Sequence, residues 1–282
     1  MFDVCSMNIH YRFYEIEYFF EKCFENEIHY VELWLCPQHF FINGSTSCID
    51  IDYIENLTKK YEIKISCLCP EQNNPKPNNL ASRNEFLVNN SLNYFKEVIL
   101  LAEKLKVNKV LLTSGWAYYD EPVEKAWERS IKHMQTLADF AEKHQVKICV
   151  EPLQPIESKL VNNLESMSKY LKEVNRSNVC VALDLGALGK ANESMEEWFK
   201  TFHDRIIHIH YVDGTPTGHM PIGRGNRNIL EDMECLIKNN YSGVLSFEFA
   251  NSMSFDNPSK HDLDSKKLIE EALKKIRKGG EL

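Results

Sequence analysis

Eight short, largely apolar runs punctuate the chain, and most are followed by a longer stretch in which apolar positions recur every three or four residues. The runs are FDVCS (2–6), YVELW (30–34), IKISCL (63–68), KVLLT (109–113), KICVE (147–151), VCVALD (179–184), IIHIHYV (206–212) and GVLSFE (243–248). Near-continuous apolar character over so few residues predicts strands covered on both faces, the signature of a parallel sheet. Between them, Leu87, Ser91, Tyr94, Val98, Leu101 and Leu105 keep helical spacing, as do Val123, Trp127, Ile131, Met134, Ala138 and Ala141. Both sets predict amphipathic helices. Further helices are predicted near 15–26, 50–60, 163–174, 194–202, 229–239 and 260–277.

Strand followed by helix, repeated eight times, is the pattern of a (β/α)8 TIM barrel, here one α/β domain over residues 1–282. An open doubly wound sheet is the rival, but no glycine-rich fingerprint follows the first strand, which also argues against a nucleotide cofactor. No linker-like shift in composition, low-complexity tract or fixed-period repeat interrupts the alternation.

The composition, 43% hydrophobic, supports a large core, and it narrows the partners. With 33 basic against 41 acidic residues the formal net charge is −8, so there is no broad basic field for a nucleic acid. Nine cysteines are scattered through apolar segments, and the pair Cys67 and Cys69 is not matched by a second pair at zinc-site spacing. They predict reduced, mostly buried thiols in a cytoplasmic protein. The opening MFDVCSMNIH lacks a basic start before an apolar run, and no uncharged apolar stretch is long enough to span a bilayer, so neither export nor membrane insertion is expected. Matches to the N-glycosylation pattern at Asn43 and Asn56 are therefore read as chance. A homo-oligomer, dimer or tetramer, is expected.

A barrel of this kind works at the C-terminal mouths of its strands. There the fifth strand ends in Glu151, the sixth in Asp184 and the eighth in Glu248, while the seventh carries His210 near its end. One carboxylate at a strand end is ordinarily a solvated rim group or a helix cap. Several acids clustered at a mouth repel one another unless a cation neutralises them. Three carboxylates and an imidazole suit a divalent ion, manganese foremost, with magnesium or cobalt as alternatives and zinc less suited. His208, two before His210, shares its face of the strand one layer deeper, where it is either a supporting imidazole or a substrate contact. PIGRG (221–225) could cradle a phosphate through backbone N–H groups or merely shape a turn. WLCPQHFF after the second strand and Trp116 after the fourth fall on mouth loops, as helix lids or as stacking surfaces for a sugar, and His39 is a candidate polar contact.

These residues resemble the sugar isomerase and epimerase branch of the xylose-isomerase-like barrels, in particular the D-tagatose 3-epimerases and their relatives. The resemblance rests on CVEPL (149–153), VALDLG (181–186), IHIHYVDG (207–214) with PIGRG after it, and LSFEFA (245–250). Asp184 follows Glu151 by 33 positions and His210 follows by another 26, spacings that suit the family's metal frame. By this resemblance Glu151, Asp184, His210 and Glu248 are the metal ligands. VEPLQPIESKLVNN, CLCPEQNNPKPNN and WLCPQHF look most like the fructoselysine 3-epimerases, nearly end to end. Glu157 falls where the epimerases place a substrate-contacting glutamate. Two departures stand out: Ala187 replaces a histidine and Pro216 an arginine that grip free ketohexoses in those enzymes.

The resemblance thus implies an isomerase-class enzyme, a metal-dependent epimerase acting at C3 of a ketose or of a fructosamine such as fructoselysine. Its metal, as a Lewis acid, would hold a cis-enediolate. Glu151 and Glu248, on opposite sides of the substrate, would supply acid and base. The alternative is an aldose-ketose isomerase on the same site. An apurinic endonuclease would need further histidines where residues 67–70, 113–116 and 187 supply none, and a non-enzymatic sugar-binding barrel would have no use for a full ligand set.

Overall fold

In the computed structural model, residues 2–40, 51–71 and 78–279 are described. Eight strands form a closed parallel barrel in sequence order: β1 (Asp3–Met7), β2 (Tyr30–Leu35), β3 (Lys64–Pro70), β4 (Lys109–Thr113), β5 (Lys147–Glu151), β6 (Val179–Asp184), β7 (Ile206–His210) and β8 (Val244–Phe247). The ring closes where β1 pairs with β8, from Asp3 against Val244 to Ser6 against Phe247. The helices among the described residues are α1 (Ile16–Glu25), α2 (Ile51–Lys60), α3 (Glu85–Lys104), α4 (Val123–Lys143), α5 (Leu164–Val174), α6 (Leu185–Ala191), α7 (Met195–Phe202), α8 (Ile229–Lys238) and α9 (Pro258–Gly279).

Every predicted strand is present, with shifts of one or two residues at the ends; β7 stops at His210 rather than at residue 212. The unpredicted helix is α6, whose sequence LGALGKA has too little apolar periodicity to announce itself. It forms because the Asp184 side chain caps it, accepting from the Ala187 N–H. Asn163 and Ser194 head α5 and α7 with full capping boxes, one reason those helices start where the sequence says. Residues 41–50, with one glycosylation match, and residues 72–77 of CLCPEQNNPKPNN lie outside the described residues.

Alternation along the strands separates two cores. Val31, Leu33, Leu35, Val110, Leu112, Ile148, Val150, Val181 and Leu183 belong to the large outer core between barrel and helices. Met7, Cys67, Cys69, Leu111, Cys149 and Ala182 form a smaller core inside the barrel. Cysteine there fits the narrow lumen as a compact apolar group, and burial pushes the Cys67 and Cys69 thiols well above their usual range, so they stay protonated and inert. Among the described residues every cysteine is unpaired, and all but Cys235 are buried. No described helix is long and apolar enough to cross a membrane.

Candidate metal centre

Adjacent parallel strands end at one level, so their last inward side chains meet above the inner core. Glu151 closes β5, Asp184 closes β6, His210 closes β7 and Glu248 follows β8. One ligand atom from each lies within 4.8 Å of all the others. His210 Nδ1 is 2.5 Å from Glu151 Oε1, 3.0 Å from Glu248 Oε2 and 3.9 Å from Asp184 Oδ2. The four residues picked out at the strand ends are thus brought together.

In the protein alone, these acids and imidazoles shift one another's proton affinities. Burial, with Glu248 and Asp184 nearby, pushes the Glu151 carboxyl up to about 8 despite the opposing pull of His210. Burial would also raise Glu248, but His210 and His219 hold it below the usual carboxylate range. Burial alone would lower His210, yet Glu248, Glu32 and Glu151 hold its imidazole well above the ordinary value. Asp184 Oδ2 is buried and makes no hydrogen bond. Three carboxylates and one imidazole, with a buried carboxylate oxygen that makes no hydrogen bond, are an oxygen-rich set that fits a hard divalent cation. Glu151, Asp184, His210 and Glu248 would hold it.

Two residues of this neighbourhood escape the sequence reading. His219 Nε2 stands 3.3 Å from Asp184 Oδ2 and 3.2 Å from Glu248 Oε2. Its loop turns over the mouth with φ at 46°, and a Cβ on Gly186 would lie 3.0 Å from its ring. It therefore brings a polar side chain to the side of the mouth that Ala187 and Pro216 leave without one. The signal was visible, since His219 is the third histidine of IHIHYVDGTPTGH. Glu32, the other, sits in β2 with no exposure, and its carboxylate accepts from His208 Nε2 at 2.8 Å. An acid inside YVELW was the available sign.

The remaining candidates separate. His208 is fully buried and occupied by Glu32, so it supports the centre from below and cannot touch a substrate at the mouth. His39 is likewise reassigned: Nδ1 pairs with Asn8 Nδ2 at 2.8 Å and Nε2 with the Tyr14 carbonyl at 2.8 Å, so the ring ties a mouth loop together. Trp116 follows Gly115, whose φ of 77° gives the turn after β4. Asn79 clamps Trp116, accepting from its N–H at 3.0 Å and donating to its carbonyl at 2.9 Å. The indole Nε1 is buried without a hydrogen bond. Residues 116–119 and 155–159 line a cleft of about 300 Å3, with Glu157 on its wall. Burial raises the Glu157 carboxyl, though the Gln154 N–H donates to it at 2.9 Å. The PIGRG loop is a shaped turn: Asp213 accepts from the N–H groups of Gly214, Gly223 and Arg227 at 2.8, 2.9 and 3.1 Å. A phosphate would have to compete for them.

The sequence profile of the xylose isomerase-like TIM barrel family matches residues 20–279. Fructoselysine 3-epimerase of Shigella flexneri is 26% identical over 235 residues, 83% of this chain and 84% of that protein. D-psicose 3-epimerase of Ruminiclostridium cellulolyticum is 27% identical over 175 residues, 60% of this chain and 59% of that protein. Among solved structures, a D-tagatose 3-epimerase-like protein superposes with a TM-score of 0.80 at 21% identity, covering 98% of this chain and 99% of the other. An L-ribulose 3-epimerase does so with a TM-score of 0.81 at 15% identity, covering 100% and 97%.

Proposed function

The chain belongs to the xylose isomerase-like TIM barrel family, and on that premise we propose that it is a metal-dependent sugar epimerase inverting C3 of a ketose or of a fructosamine such as fructoselysine. The observation that carries this reading is the convergence of Glu151, Asp184, His210 and Glu248 within 4.8 Å at the barrel mouth. A divalent ion held there, manganese best suited to the set, would supply a Lewis acid that makes the proton beside a ketone removable. Asp184 and His210 would serve as its ligands. Glu151 and Glu248 arrive from β5 and β8, on either side of β6 and β7. A sugar lying between them meets one carboxyl group on each face. Glu248 takes the C3 proton as base, and Glu151 returns one to the opposite face as acid, each contributing roughly 10²- to 10⁴-fold. Glu151 is buried and Glu248 nearly so, which limits the water that would otherwise compete for the proton.

Substrate choice follows from what surrounds the centre. Ala187 and Pro216 offer a free ketose no polar side chain, while Glu157 on the cleft wall and Glu71, which directly follows β3, favour a neutral or cationic substituent over a phosphate. The similarity to fructoselysine 3-epimerases over most of the chain supports the same choice. The test is to incubate metal-loaded protein with fructoselysine, fructose, tagatose and psicose in deuterated water and locate exchange by NMR. Deuterium is expected at C3, with kcat/KM for the fructosamine higher by about 1–3 kcal/mol, the scale of a charge-assisted hydrogen bond. Deuterium only at C1 would replace epimerisation by aldose-ketose isomerisation. Equal efficiency on psicose would remove the tail and leave the centre intact.

A further inference from the structure

Below the four converging groups lies a second polar layer that the proposed chemistry does not use. Its centre is Glu32 on β2, a strand that supplies none of those groups. The pairing of β2 with β3 shifts register between Val31 and Glu32, an irregularity of the kind that re-aims a side chain beside a site. Glu32 reaches inward to two other strands. Its Oε2 accepts from Ser246 Oγ at 2.6 Å and lies 2.8 Å from His208 Nε2 and 3.1 Å from His210 Nε2. Glu32, His208 and Ser246 have no exposure. A carboxylate so deep is costly to bury, and a leucine would fill the space among Met7, Cys67 and Cys149 without that cost.

What the carboxylate accomplishes is a division of His210. One ring nitrogen, Nδ1, faces Glu151 and Glu248; the other, Nε2, faces Glu32. A neutral imidazole carries one N–H and one lone pair. Where a cation takes the place of the proton that Nδ1 shares with Glu151 and Glu248, the anionic acceptor at Nε2 keeps the one remaining N–H on that nitrogen and the Nδ1 lone pair is turned to the mouth. His208 and Ser246, donating to the same carboxylate, hold it against rotation.

We infer that Glu32 is a positioning residue, locked by His208 and Ser246, that fixes His210 in the Nε2–H tautomer with Nδ1 presented to a divalent cation. The inference rests on reading the mouth as a cation site. Outer partners of this kind are worth about 10- to 100-fold in metal affinity.

The test measures Co2+ affinity of chelator-treated protein by competition, and reads the ring nitrogens of labelled histidine by 15N NMR in the Zn2+-loaded form, for wild type, Glu32→Gln and Ser246→Ala. An amide at residue 32 can donate as well as accept, so it no longer dictates the tautomer. Wild type is expected to show a protonated His210 Nε2 and a metal-bound Nδ1. Glu32→Gln should bind Co2+ about 10- to 100-fold more weakly, with a changed His210 pattern. Should Glu32→Gln not fold, Ser246→Ala carries the test through an affinity loss of about 10-fold, the low end of the range such outer contacts span. Wild-type Co2+ affinity in the variants, with an unchanged His210 pattern, would overturn the inference and leave the cation site standing. Failure of the wild type itself to bind Co2+ would remove both.

Discussion

Asp262 and Asp184 are both buried aspartates beside a histidine, and they do opposite things. Asp262, on α9, fastens that helix to the end of β1: Oδ2 accepts from Ser6 Oγ and Tyr11 Oη, each at 2.7 Å, and Oδ1 pairs with His10 Nε2 at 2.8 Å. All four residues are wholly enclosed. One carboxylate meets three donors, and both of its oxygens are satisfied within the protein. Around Asp184 the count reverses. Three carboxylates share His210 and His219, and Asp184 Oδ2 makes no hydrogen bond. The same residue types thus make a lock where the carboxylate's oxygens are all met by donors and a candidate cation site where acids outnumber imidazoles.

The largest effect should come from the side of excess acid. Glu248→Gln keeps the shape and a carbonyl ligand but cannot accept a proton. Turnover should fall by about 10²- to 10⁴-fold while part of the bound metal remains. Near wild-type turnover in this variant would place the base elsewhere and strip the acid-rich region of its proposed chemistry.

The lock is broken by Asp262→Ala, which leaves Ser6, His10 and Tyr11 without their shared acceptor. Chemical denaturation should show a loss of about 3–5 kcal/mol, the usual result of deleting one partner of a buried charged network. Metal affinity of the folded fraction should stay at the wild-type value. A stability loss under about 1 kcal/mol, the scale of one ordinary hydrogen bond, would mean that Asp262 is no lock at all.

That contrast also explains what was legible beforehand. The strands were readable because burial on both faces makes each an apolar run, and Glu151, Asp184, His210 and Glu248 because a barrel brings strand ends together. Cluster membership was harder, since it depends on partners far apart in sequence. Glu32 meets His208 and Ser246 across 176 and 214 residues, and only the closed ring reveals it. His219 required knowing which way the loop after β7 turns. His39 misled because a histidine on a mouth loop looks the same whether its nitrogens are free or, as here, both taken by Asn8 and Tyr14. Helix α6 was missed because LGALGKA carries too little apolar periodicity and its cap is the same Asp184 proposed as a ligand, with Oδ1 accepting from the Ala187 N–H and Oδ2 turned to His210 and His219.

That double duty permits the smallest and sharpest test, Asp184→Asn. The amide oxygen can still accept from the Ala187 N–H, so the cap on α6 should survive. The nitrogen replaces Oδ2, removing one negative charge from a neighbourhood where Asp184 and Glu248 press on the same His219 nitrogen. Metal affinity should drop at least about 10-fold, as befits a direct ligand. In chelator-treated protein, however, the variant should be more stable than wild type by about 0.5–2 kcal/mol, because like-charge repulsion at a site kept for function is relieved. Asp262→Asn, measured alongside, should be destabilised with or without metal, since there the lost charge had three donors to satisfy it. If both asparagine variants lose stability in the metal-free state, donor and acceptor counts do not distinguish the two clusters, and the acid-rich mouth is held together by the same kind of bonding as the lock.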